Sequence, residues 1–309
     1  MLFIDSNQYL DFYRTSGFKK LFSELAAVSD RVFITSQIVD EVTRKKVAVA
    51  NKFFCDHFGA LKLEKIKNGL PNQLFSAEVT RDLQTKIRDI SQQFKSVHQA
   101  ADKAAVDVLM QISLSKDDVS KAFSQIFQRA VDASESELDR ARVRKERGRA
   151  PGKSGDSLGD QISWEQFLTR AKEEQWPRVW IISRDGDNCS KYAEAVVLNA
   201  ALYCDLVQVR QDMEVRCFTE IEKGLTDFIN VNSVSGVQLP TYEEAEAINR
   251  EQEALPPIGL GYYDDGGWYS VVQQMNAHRR NFHAAFLDPN AFNQHQPLII
   301  RSASNIADE

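Results

Sequence analysis

Met1-Leu2-Phe3-Ile4-Asp5-Ser6-Asn7 opens the chain. Four apolar residues are cut off by an aspartate and two polar turn formers. A short apolar run with this ending reads as a strand covered on both faces, which is the signature of a parallel sheet. In such sheets ligands bind outside the carboxyl ends of the strands. The same seven residues therefore predict an α/β fold and place Asp5 at its functional edge.

Working outward, Val32-Phe33-Ile34-Thr35 is a second buried run. Between the two lies a helical stretch, Phe18 to Ala27, with apolar Phe18, Leu21, Phe22 and Leu25 at i, i+3, i+4, i+7, which completes a βαβ unit. Ser36 is placed to cap the next helix, whose apolar side carries Ile38, Val39, Val42 and Val47. Val179-Trp180-Ile181-Ile182-Ser183 and Val215-Arg216-Cys217-Phe218 supply two more strands, and a helix follows from Thr219 to Ile229. From Ser76 to Ser113 apolar residues alternate steps of four and three, the pattern of a long helix with a coiled-coil-like seam. Ser115-Lys116-Asp117-Asp118 has the form of a capping box for a further helix through Ala130. Together these predict a helical hairpin, residues 76–134, inserted in the α/β body. A basic run carries Arg144, Lys145, Arg147, Arg149 and Lys153 and is broken by glycines and Pro151; Asp160 then opens a helix that ends before Pro177. Past Val231 the pattern weakens. Tyr242 to Glu253 reads as an exposed acidic helix, and the aromatic stretch from Trp268 to Ile300 has no period. The expected division is one α/β domain over residues 1–230 and a C-terminal extension over 231–309.

Composition bounds the function. With 309 residues, 43% hydrophobic and 27% charged, the chain is long enough for a large core that needs no disulfide or structural metal. Cys55, Cys189, Cys204 and Cys217 fit neither a zinc pattern nor a secreted disulfide framework. The first apolar stretch is only four residues long and has no basic flank, so it does not read as a signal peptide. No run approaches the length of a membrane span. These points predict a cytoplasmic protein with no membrane partner. The net charge of −6 disfavours a general nucleic-acid coat protein, yet local patches decide contacts.

The strand ends carry the chemistry. Asp5 follows the first strand, Asp185 and Asp187 follow the third clear strand, Asp160 opens the helix leading into it, and Glu41 lies on the helix after the second strand. A parallel sheet brings all of them to one edge. Carboxylates crowded together repel and raise each other's pKa, which a divalent cation relieves. An all-oxygen set without histidine suits magnesium or manganese rather than zinc.

In this order the motifs resemble the PIN-domain nucleases, in particular long bacterial PIN-like proteins with a helical insertion: strand–Asp5-Ser6-Asn7, Thr35-Ser36…Glu41, Gly159-Asp160…Trp164, and Ile182-Ser183-Arg184-Asp185-Gly186-Asp187. The resemblance spans roughly residues 1 to 230. It implies a three-layer α/β/α sandwich with a central parallel sheet, and a phosphodiesterase that uses one or two Mg2+ or Mn2+ ions, usually on RNA. Position by position, Asp5, Glu41, Asp160 and Asp185 match the family's acidic quartet. Asp187 matches a frequent extra acid, Ser183 the hydroxyl at that strand end, and Ser6 and Asn7 supporting positions. Arg144, Lys145, Arg147, Arg149, Lys153 and Arg184 are then expected to meet phosphates.

Each residue also has a plainer reading. Asp5 and Asp160 could cap helices, Asp185 and Asp187 could form a simple turn, Glu41 could be a solvated helix residue, and the basic run a solvated loop. His278, His283 and His295 with Asp288 match no zinc spacing. Three functions compete: a metal-dependent ribonuclease, acting as a toxin or phage-defence effector with an antitoxin or defence-system partner; a single-strand or flap DNA nuclease; and a non-catalytic binding module. A homo-oligomer is compatible with each. A haloacid-dehalogenase-type phosphatase needs a second aspartate two residues after the first, where this chain has Asn7.

Overall fold

The structure is a computed structural model and describes residues 1–58, 77–152, 158–193, 195–256 and 258. The chain divides into a unit Met1–Pro256, described below, and a unit Pro257–Glu309.

Four parallel strands form the central sheet: β1 (Leu2–Ile4), β2 (Val32–Phe33), β3 (Arg178–Ile182) and β6 (Glu214–Phe218), in the order β2-β1-β3-β6. Phe3 lies beside Phe33 on one side and Ile181 on the other. Period-two alternation separates the faces. Phe3 and Phe33 meet Phe167 of α7 (Gly159–Glu174) at ring separations of 5.1 and 5.6 Å. On the opposite face Trp180 meets Phe228 of α9 (Ile221–Val231) at 4.7 Å. Gly224 lets α9 close on the sheet, because a Cβ there would stand 2.3 Å from the Ile182 side chain. This is the expected α/β/α sandwich.

Several local expectations are corrected. The stretch from Phe18 to Ala27 splits into a 3-10 turn, Gly17–Leu21, and helix α2 (Phe22–Val28). Ser36 is the first residue of α3 (Ser36–Phe58) rather than its cap; the Thr35 hydroxyl accepts the Ile38 N–H at 3.2 Å. Asp117, not Ser115, caps α5 (Asp118–Phe127) by accepting the Ser120 N–H, and Ser115 turns the chain with φ 54°. The inserted hairpin is paired differently from expectation. The long helix α4 (Ala77–Ser113) runs along α3, whereas α5 belongs to the body. Phe123 of α5 is fully buried against Tyr9 and Phe12, which follow β1. Periodicity sets which face of a helix is apolar but is silent on its partner.

Four elements had no counterpart in the sequence reading. Helix α6 (Glu135–Glu146) opens with a true capping box, Ser134 with Glu137. An antiparallel hairpin, β4 (Cys189–Tyr192) with β5 (Ala195–Leu198), leads into α8 (Ala200–Val209).

The first unit also reaches further than residue 230. Helix α10 (Tyr242–Glu253) is amphipathic, with Ile248, Asn249 and Gln252 buried. Gln252 donates to Gln8 at 2.7 Å and to Asp11 at 3.0 Å, and Glu251 accepts the N–H groups of Ser16 and Gly17. These bonds tie α10 to the turn after β1, so the boundary falls at Pro256. Glu24 of α2 is fully buried near α9, and among the described residues neither of its oxygens has a hydrogen-bond partner. Burial, then the nearby charge of Glu222, pushes its carboxyl up to about 8.

Candidate active site

The chain runs from β1 to β2 on one side and later returns to β3 on the other, so β1 and β3 flank the topological switch point of the sheet. That crevice is where ligands of open α/β sheets bind. Asp5 enters it directly from β1, its N–H held by the Ile182 carbonyl at 3.0 Å. Its backbone occupies the cap position of α1 (Ser6–Asp11), but its side chain makes no cap bond. Instead Oδ2 accepts from the Ser183 hydroxyl at 2.8 Å, and Oδ1 lies 3.4 Å from the Ser6 hydroxyl. The capping reading of Asp5 therefore fails. Ser183 is saturated, because its Oγ also accepts from the Asp185 N–H at 3.1 Å and from Asn188 Nδ2 at 2.9 Å. A hydroxyl held by two donors has its single proton left for Asp5, which fixes that carboxylate's orientation.

Asp5, Glu41 and Asp160 line one small cavity together with Ser6, Ser163, Asn188, Phe3, Ile38, Pro151 and Trp164. Its volume is about 10 Å3, near that of one water-sized sphere. Glu41 stands one turn beyond Ile38 on α3, and its Oε1 takes Lys45 Nζ at 2.5 Å. Asp160 sits in the first turn of α7, where Leu158 holds the cap position, so it is not the helix cap. Gly152 approaches it closely enough that a Cβ would lie 3.4 Å from its carboxylate. Asp185 does not line the cavity, but its charge reaches Asp5. Asp5 is only 8% exposed. Its carboxyl is pushed up to about 6, chiefly by burial, with the charges of Asp185 and Glu41 adding to the rise and the Ser183 hydrogen bond opposing it. Asp187 and Asn7 stay outside the cavity lining; the Asp187 N–H donates to Asp185 Oδ1 at 3.1 Å and closes the turn. Among the described residues, no three acidic, histidine or cysteine side chains already converge on one point. The donors around the cavity are oxygen atoms, which suits a hard divalent cation.

Ser163 and Asn188 were not read as site residues. Ser163 had a signal available: it lies three residues after Asp160, on the same face of a helix. Asn188 had none, because its role depends on Ser183 across a turn.

The basic run behaves differently from expectation. Arg144 is 6% exposed and bridges Glu165 and Asp205, each at 2.7 Å, while also donating to the Ala150 carbonyl. Arg184 donates to Asp11 at 2.7 Å and to the Leu255 carbonyl at 2.9 Å. Both are therefore structural ion-pair residues, a correction to their assignment as phosphate contacts. Buried guanidinium groups need carboxylate partners, and these sites supply them. Arg149 also reaches Asp205, at 3.0 Å, but remains 43% exposed. Arg140, Arg147 and Arg149 line a groove of about 310 Å3 with Asp139, Val143, Arg144 and Glu165. Lys145 is half-buried on α6, and Lys153 lies outside the described residues.

A PIN-domain family model matches residues 2–187. The chain belongs to the PIN-domain family. The matched span contains Asp5, Glu41, Asp160, Asp185 and Asp187 and ends as β3 gives way to the β4–β5 hairpin. A PIN domain is a nuclease-type fold, its members generally depend on Mg2+ or Mn2+, and their substrates are nucleic acids. In this PIN domain the outer strand β6 and helices α9 and α10 lie beyond the matched span yet complete the sheet and brace the turn after β1. No curated protein and no solved structure matches the chain. Among the described residues no helix is long and apolar enough to cross a membrane.

Proposed function

We propose that this PIN domain is a metal-dependent endoribonuclease that cuts single-stranded RNA at the Asp5 cavity. One observation supports the reading: carboxylates from β1, α3 and α7 line one small cavity at the switch point, with Asp5 buried near the charges of Glu41 and Asp185. Asp5, Glu41 and Asp160 would hold a Mg2+ or Mn2+ ion there, with Asp185 acting directly or through water. The ion supplies charge stabilisation at the attacked phosphate and lowers the pKa of a bound water. The residues of the chain do the rest. Ser183 orients Asp5, Asn188 orients Ser183, and Phe3, Ile38 and Trp164 form the apolar part of the cavity wall. Lys145, Arg147 and Arg149 would meet the RNA backbone, where phosphate contacts give affinity without sequence preference.

The test incubates purified protein with Mg2+ or Mn2+ and matched single strands of RNA and DNA. Cleavage of RNA that stops with chelator and with Asp5→Asn supports the reading. Preferential cutting of DNA replaces it with the DNA-nuclease alternative, and metal-independent binding without cutting replaces it with a binding module. A toxin or defence role predicts growth arrest when the wild type, but not Asp5→Asn, is expressed in a bacterial host.

A further inference from the structure

Helix α4 is 37 residues long, against 23 for its neighbour α3. Its C-terminal end is rooted in the body: Leu109 and Ile112 are buried, and Lys46 of α3 ties Ser115 and Ser120 just beyond it. The side of α4 that carries Phe94, His98, Ala105, Leu109 and Ile112 is wholly or partly covered. Next to that side runs a second apolar ridge that is exposed among the described residues. Val79, Leu83, Ile90, Val97 and Val108 are exposed, Val97 at 61%, and Ala104 continues the line. The residues from Leu83 to Ala104 recur every seven positions, so they form one straight column along a supercoiling helix. An exposed apolar column of roughly 30 Å is more than a monomer's surface ordinarily carries and marks an interaction surface.

We infer that this ridge is the dimerisation surface of the protein, pairing α4 antiparallel with α4 of a second copy. Three features of the chain select this occupant. The heptad spacing is complementary to itself, because a helix with this column fits another with the same period. The antiparallel direction follows from the rooted C-terminal end, since two bodies then lie at opposite ends of the pair rather than against each other. Charge agrees with this direction. When Leu83 faces Val108 of the second copy, Ile90 faces Ala101, Val97 faces Phe94 and Ala104 faces Ile87, so every layer is apolar. In that register Lys86 flanks the seam opposite Asp107 of the second copy, twice by symmetry, and the other flank carries only Gln84, Ser91, His98 and Ala105. Phe94 and Ala101, half-covered in one copy, lie where α3 and both α4 helices meet.

Sedimentation of the full chain over about 1 to 100 µM tests the pairing. The expected species is 70.2 kDa, twice the 35.1 kDa of one chain. Ile90→Glu combined with Val97→Glu is expected to give a single-chain mass, with unchanged helix content, melting temperature and RNA cleavage. Lys86→Asp and Asp107→Lys are each expected to weaken the dimer at least about fivefold, and the double swap to restore it. A wild type that stays one chain at the top concentration overturns the inference. So does a dimer that survives both ridge substitutions. If the ridge variants instead lower the melting temperature of a monomer, another part of the same chain covers the ridge and the pairing is wrong. Failure of the double swap to restore a dimer that each single swap weakens overturns the antiparallel register.

Discussion

Asp5 and Asp11 lie six positions apart, at the two ends of α1, and both are buried carboxylates near the carboxyl edge of the sheet. Their surroundings are opposite. Asp11 is completely buried and fully answered: Arg14 donates to it twice, at 3.0 and 2.7 Å, Arg184 once at 2.7 Å, and Gln252 at 3.0 Å. Asp5 faces hydroxyls and other carboxylates, and among the described residues no arginine or lysine bonds to it. Burial of a charge costs several kcal/mol unless a partner offsets it. At Asp11 the chain supplies the partner, and the group binds three elements together. At Asp5 the described residues supply none, and in the proposed function a cation from solution would take that role. The difference separates a structural acid from a candidate catalytic one without reference to any relative.

Substitutions can break that comparison. The largest effect is expected at the structural acid. Asp11→Asn leaves two guanidinium groups short of their counter-charge and should cost about 3 to 5 kcal/mol in chemical denaturation; a loss below about 1 kcal/mol would mean that Asp11 is not the keystone described. Asp5→Asn should do the reverse. Cleavage should fall by roughly a hundredfold or more, while stability at pH 7 holds or rises, because the amide carries no charge to bury and its carbonyl can still accept from Ser183. A stability loss like that of Asp11→Asn would erase the distinction between the two acids.

Glu24 sharpens the comparison from a third position, since it has neither a cation partner nor a place in the cavity. Its folded pKa, about 8, lies above the ordinary carboxyl value. The native state therefore holds the proton more tightly than the unfolded chain. The resulting stabilisation is fully present below about pH 4.5 and is lost as pH rises through about 8. The wild type should lose stability on the order of 5 kcal/mol across that window, and Glu24→Gln should flatten the profile. A wild-type profile already flat from pH 5 to 9 removes the argument. The smallest effect is expected on the arginine groove. Arg147→Ala should weaken RNA binding a few-fold and lower the salt slope by about one, whereas Arg144→Ala should mainly destabilise the fold.

Much of this was legible in the primary structure. Apolar runs closed by polar turns place β1, β2, β3 and β6, because a strand covered on both faces must be apolar throughout. The same endings put Asp5 and Asp185 just past β1 and β3, whereas Glu41 and Asp160 lie inside α3 and α7 and were expected at that edge from the order of the motifs. Arg14 three residues on is a local partner of Asp11, but its role as a junction was not legible, because Arg184 and Gln252 lie 173 and 241 positions away. Arg144 was misread for the same reason: a cluster of arginines looks alike whether it faces solvent or the carboxylates of Glu165 and Asp205. The antiparallel hairpin after β3 escaped notice because Ser190, Lys191 and Tyr192 of β4 are exposed and lack the apolar signature.

The sequence by itself therefore determined the α/β class, the edge where chemistry is to be sought and the acids that could perform it, because burial and turn chemistry are written into residue type and local spacing. Only the tertiary structure decided which charges are neutralised by ion pairs, which helix the long α4 lies against, and that α10 closes the domain. Those outcomes depend on residues that folding brings together from opposite ends of the chain, where Coulomb interaction and burial act on distance in space and not on distance in sequence.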